Sequence, residues 1–201
     1  MVRLMSKTYS PNILKMNNKD LIDYCIRNEA CNKAIECLTY TGYDLEAAWY
    51  KCDRGEWLGW LVDKIGIDPR TRVLCAALCA NEVRHLMRDQ RSIDAVDVAL
   101  KYGRGNATDE ELYDANDAAY LAAAHSDAIG AYSAANCAAY AANFAAAVLD
   151  ADANATNTAN AACSTINADS AADSDSSYTT LKTAEIFRAN IDFENVLKLI
   201  K

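Results

Sequence analysis

From Gly105 to Leu181 the chain runs 77 residues without a single Lys or Arg, and the middle of that stretch, AANCAAYAANFAAAVL, is mostly alanine with an occasional ring. Alanine gives up no side-chain rotamer freedom in a helix, and its short side chain lets two helix backbones come closer than larger residues permit. A tightly packed helical layer is the fold this composition favours. Only two prolines, Pro11 and Pro69, interrupt the 201 residues, so long helices meet few breakers.

Helical periodicity runs through the remainder. The segment KDLIDYCIR places Leu21, Ile22, Cys25 and Ile26 on one stripe behind a cap at Asn18, and ACNKAIECL repeats the pattern up to Gly42. Two short helices, 44–52 and 55–65, are expected on either side of Arg54-Gly55, and all three tryptophans fall within them. Asp68-Pro69 reads as a cap followed by the first residue of a helix through RTRVLCAALCANEVRHLM, with Val73, Leu74, Ala77, Leu78 and Val83 facing the core. Ser92 is the expected cap of the next helix, which ends at Gly103 or Gly105. Thr108 and Glu111 then form a capping box that opens the alanine-rich helix. Leu121, His125, Ile129, Tyr132, Asn136, Tyr140 and Phe144 continue its stripe, with a possible break at Gly130, and 150–177 reads as a poor helix rich in Asn, Thr, Ser and Asp. Amphipathic pattern returns in YTTLKTAEIFRAN and IDFENVLKLIK. The expectation is an all-α, single-domain bundle, 1–201, of about seven or eight helices with a long, closely packed alanine-rich helix or helix pair.

Charge divides the domain into two halves. Residues 1–106 carry 16 basic and 14 acidic side chains together with the tryptophans, whereas 107–201 carry 4 and 14. With a net charge of −8 and no concentrated basic face, nucleic acid is not an expected partner. The uncharged span Ala128–Leu149 is broken by Ser133, Asn136 and Asn143, so a membrane segment is not expected either. The eight cysteines are scattered and no apolar leader precedes them, which favours small buried thiols in a reducing cytoplasm over a disulfide framework. Cys75, Cys79 and His85 make three ligands rather than four and lack the CxxC spacing of a zinc site, so no metal and no cofactor is expected.

Four blocks stand in order: ACNKAIECL, AWYKCDRGEWLGWL, SIDAVDVALKYGRGNATDEELYDANDAA and TAEIFRANIDFENVLKLI. Together they resemble the alanine-rich immunity-protein family of phages and bacteria, the immunity-protein-five-like group, over most of the chain. In that family the second block reads close to AWxxCxRGDWLLWL; this sequence keeps Ala48, Trp49, Cys52, Arg54, Gly55 and Trp57 and places Glu56 where Asp is usual. It departs from the family in its alanine-rich helix, where Tyr, Asn, Ser and Asp replace interleaved Arg and Trp. The resemblance implies an all-helical protein of the bacterial cytoplasm, grouped with toxin-neutralising partners and without assigned catalytic residues.

The chemistry-bearing cluster is the RGEW turn. Trp49, Arg54, Glu56, Trp57 and Trp60 bring a guanidinium, a carboxylate and indoles together, and Arg84 and Arg88, with Arg70 and Arg72, lie further along. Such a set suits an anionic or flat ligand, by forked hydrogen bonds or stacking. It equally suits a structural role, with Arg54 paired to a carboxylate such as Asp53 and the indoles filling space between helices. Likewise His125 suits a seam better than a general base, and Tyr113, Tyr120, Tyr132 and Tyr140 a seam or a pocket wall. With no phosphate loop or nucleophile–base pair in the sequence, the expectation is a non-catalytic immunity-like or counter-defence protein that neutralises a toxin or defence factor by stoichiometric binding. Sequestration of a small anionic, nucleotide-type signal and a scaffold role are the alternatives, and a homo-oligomer fits each.

Overall fold

The computed structural model describes residues 16–124 and 176–200. Among these the chain forms nine α-helices and no strand. They are α1 Asn18–Arg27, α2 Asn32–Thr41, α3 Leu45–Lys51, α4 Gly55–Lys64, α5 Pro69–Glu82, α6 Gln90–Gly103, α7 Asp109–Ala124, α8 Ser176–Asn190 and α9 Phe193–Leu199, with a single 3-10 turn at Arg84–Leu86. The stripe from His125 to Phe144, Gly130, the uncharged span 128–149 and the polar segment 150–175 lie outside the described residues. The chain divides into two compact units, Met1–Glu46 and Ala47–Lys201.

In the first unit α1 packs against α2. Asn17, one residue before the expected cap, accepts a hydrogen bond from the Asp20 amide at 3.0 Å, and this frees Asn18 to donate to the Leu38 and Tyr43 carbonyls at 2.9 and 2.8 Å. The buried face is Leu21, Tyr24 and Cys25, while Ile26 is exposed. The stripe is thus rotated from the expected one, because it buries the larger Tyr24 ring in place of Ile26. Gly42 ends α2 at φ 67°, the left-handed conformation in which glycine avoids a Cβ clash.

The second unit is built on α5, α6 and α7. Its central cluster joins Val73, Ala76, Ala77, Ala80 and Val83 to Met87, to Ala95, Val96, Ala99 and Tyr102 of α6, and to Leu112 and Ala119 of α7. Half of those twelve residues are alanine, so the small-residue packing expected of the acidic half is already present in α5 and α6. Asp68 caps α5 by accepting from the Thr71 amide at 3.1 Å, with Pro69 in the first turn, as the sequence indicates. The helix stops at Glu82, short of the expected Met87. There the Val83 amide turns to Ala80 O, and the tighter 3-10 turn that follows brings Val83 and Met87 back into the core. Asp89 rather than Ser92 caps α6, accepting from the Arg91 amide at 2.9 Å, and Ser92 is fully buried within the first turn. A carboxylate at this end is further favoured by the helix dipole. Thr108 and Glu111 form the expected capping box: the Glu111 amide donates to Thr108 Oγ1 at 3.2 Å and the Thr108 amide donates to the Glu111 carboxylate at 2.7 Å. The charge change at 106/107 falls in the short link between α6 and α7, which pack against each other.

Candidate functional site

Helix α8 packs on α4 and α5, and this packing positions the RGEW turn. A side chain on Gly55, the first residue of α4, would meet Thr183 of α8: its Cβ would lie 2.8 Å from the Thr183 carbonyl carbon and closer still to the threonine side chain. Glycine is required here by close approach, since its φ is not left-handed. Gly59, one turn on, is buried as well, as are Thr179 and Thr183 on α8. On the other side of the turn, Arg188 of α8 donates to Cys52 O at 2.6 Å and to Trp49 O at 3.4 Å, closing carbonyls that the end of α3 leaves open. Trp49 is buried and stacks on Phe193 at a centroid distance of 6.3 Å.

With the backbone held in this way, Arg54 stands at the N-cap of α4. Its Nε donates to Glu56 Oε1 at 2.6 Å, its Nη2 forms an ion pair with the same oxygen, and its guanidinium lies 5.2 Å from the centroid of the Trp57 ring. The carboxylate partner is Glu56, not the expected Asp53, which is exposed; Glu56 sits within the first turn, where the Arg54 side chain reaches it by lying along the start of the helix. Glu56 is mostly shielded, with the side chain 14% exposed, whereas that of Arg54 is 44% exposed. Partial burial opposes the charge on Arg54, but the Glu56 hydrogen bond and the Glu56 and Asp53 carboxylates outweigh it and raise the guanidinium above its ordinary value. The result is a fixed, half-open cation backed by an indole face. Such a group can receive a carboxylate, a phosphate or a polar backbone edge. The half-buried Cys52 thiol lies beside it, its sulfur accepting from the Arg54 amide at 3.4 Å.

The other nominated arginines go to different places. Arg84 forks onto Asp97 of α6 with both nitrogens, at 2.5 and 2.8 Å, and Arg88 is exposed. Arg70 donates to Tyr102 O at 2.8 Å and lies 4.4 Å from that ring centroid. Arg72 pairs with the buried Asp63 at 3.5 Å, tying α5 to α4, and burial lowers its guanidinium despite that carboxylate. Trp57 and Trp60 are half-buried. The structure therefore gathers Arg54, Glu56 and Trp57, buries Trp49 against Phe193 as core, and sets Arg84 on a separate tie to α6. A shallow cavity of about 270 Å³, walled by Ile67, Thr71, Ile191 and Lys198, contains none of the nominated residues.

Of the cysteines, Cys25, Cys75 and Cys79 are buried, Cys37 and Cys52 are half-buried and Cys31 is exposed. Burial pushes the Cys75 thiol up to about 12 and the Cys25 thiol up to about 11. His85, the third ligand considered for a metal, is exposed on the 3-10 turn, and among the described residues no three His, Cys, Asp or Glu converge on a point. No helix among the described residues is long and apolar enough to cross a membrane. What the sequence did not disclose is the support from the C-terminal block, Thr183, Arg188 and Phe193. The signal was the joint presence of the second and fourth blocks: Thr183 of the fourth packs on Gly55 of the second, and Arg188 bonds to the Trp49 and Cys52 carbonyls. Comparison with known protein families, with curated proteins and with solved structures finds no match.

Proposed function

We propose that this chain is a non-catalytic, immunity-like or counter-defence protein that neutralises a toxin or defence factor by stoichiometric binding in the cytoplasm of a bacterial host. One observation carries the reading: the exposed Arg54 guanidinium is braced by Glu56 and laid over Trp57 at the end of a helix whose backbone is locked against α8. Arg and Trp are the residues that dominate protein interfaces when their geometry is prepared in advance, because less rotamer freedom is lost on binding. The class of partner is taken from the resemblance of the four sequence blocks to the immunity-type family. Sequestering a nucleotide-type anion is the lesser reading, since Arg70, Arg72 and Arg84 are engaged by groups of their own chain.

A tagged chain and its Arg54→Ala variant, passed through lysate of the bacterial host, test this. Retention of one protein by the parent and not by the variant, with identical helical circular dichroism, is the expected result. Loss of helical signal in the variant would return Arg54 to a structural role, and a nucleotide released on heating would replace neutralisation by sequestration.

A further inference from the structure

Helix α7 presents two unlike faces. Leu112, Ala119 and Ala122 are buried, the first two in the central cluster, while Glu110, Tyr113, Asp114, Asp117, Tyr120 and Leu121 form the opposite, exposed stripe at helical spacing. Tyr113 is 47% and Tyr120 68% exposed. Two of the helix's five carboxylates serve its own start, Glu111 through Thr108 and Asp109 through the Tyr102 hydroxyl. The other three share the outward stripe with the rings, and α7 has no Lys or Arg.

A merely solvated helix face gains from oppositely charged residues three or four apart. This one does the reverse: Glu110 and Asp114 are four apart, Asp114 and Asp117 three apart, and two exposed rings, Tyr113 among them and Tyr120 a turn beyond, share the stripe. A partner bearing guanidinium groups relieves both costs, because arginine forks onto carboxylates and lies flat on tyrosine faces, whereas lysine does only the electrostatic part. We propose that the outward face of α7 docks an arginine-bearing protein segment. The proposal uses none of the contacts of Arg54, Glu56 and Trp57, so either reading can fail without the other.

The test uses nona-arginine and nona-lysine peptides as probes of the full chain, with binding located by backbone amide shifts. Nona-arginine is expected to bind several-fold more tightly, with its shifts on α7. The exposed double variant Tyr113→Ala/Tyr120→Ala should weaken it about tenfold and leave nona-lysine within about twofold. Asp114→Asn/Asp117→Asn should weaken both peptides. Equal binding of the two peptides with no effect of the tyrosine variant would reduce the attraction to net charge and overturn the proposal. So would shifts confined to other helices, or a concentration-dependent dimer abolished by the tyrosine variant, which would assign the face to a second copy.

Discussion

Replacing Gly55 by alanine gives the sharpest test of how the RGEW turn is held, because two effects of opposite sign compete there. Alanine in a helix is ordinarily favoured over glycine by up to about 1 kcal/mol, less at the first position than in the interior. Against that, the new Cβ would lie 2.8 Å from the Thr183 carbonyl carbon and overlap the threonine side chain. A side-chain tip could rotate away, but a backbone carbonyl moves only if α4 and α8 separate. Overpacking of this kind costs about 1–3 kcal/mol, so the net effect is a loss of about 2 kcal/mol. In a chain of this size that lowers the melting temperature by about 4–8 °C. Urea unfolding followed by helical circular dichroism and by tryptophan fluorescence reads it directly. Gly42→Ala serves as the comparison, since a Cβ there meets nothing and only the positive φ opposes it. If Gly55→Ala raises the melting temperature, the close approach of the two helices is refuted.

Further expectations follow from the caps and the thiols. Thr108→Ala removes one arm of the capping box and should cost about 1 kcal/mol in the same urea titration. The hydrogen bond from Arg84 holds Asp97 below the usual carboxylate range, so its contribution is complete above the unfolded value and is lost as pH falls through the lower folded one. Stability should therefore fall below about pH 4, and in Arg84→Ala that part of the acid sensitivity should disappear; an unchanged acid titration would contradict it. In the native protein at mild alkaline pH, iodoacetamide should label the exposed Cys31 quickly and the buried Cys75 only after unfolding, as read by peptide mass spectrometry.

Much of the helical plan was legible because it rests on local chemistry. Asp68-Pro69, Thr108 with Glu111, and Gly42 each satisfy or release backbone groups within a few residues of themselves, and the structure uses all of them as the sequence indicates. Ser92 misled because a serine near a helix start is a sound cap in isolation, but Asp89 lies three residues earlier and the serine is drawn into the core. The end of α5 was missed for a similar reason: nothing local forbids the helix from continuing, and the burial of Val83 and Met87 decides it. At the candidate site, the cluster of Arg54, Glu56 and Trp57 could be read from spacing alone. Its support could not, because Thr183, Arg188 and Phe193 are more than 120 residues distant and reach it only through the packing of α8 and α9.

Native mass spectrometry of the complex recovered on the tagged chain tests the central claim most directly. The account expects a fixed ratio of this chain to one partner protein, no small molecule released on heating, and loss of that species in Arg54→Ala while its melting curve is unchanged. A chain that carries only a nucleotide-sized ligand, or a protein complex that survives Arg54→Ala intact, would contradict it.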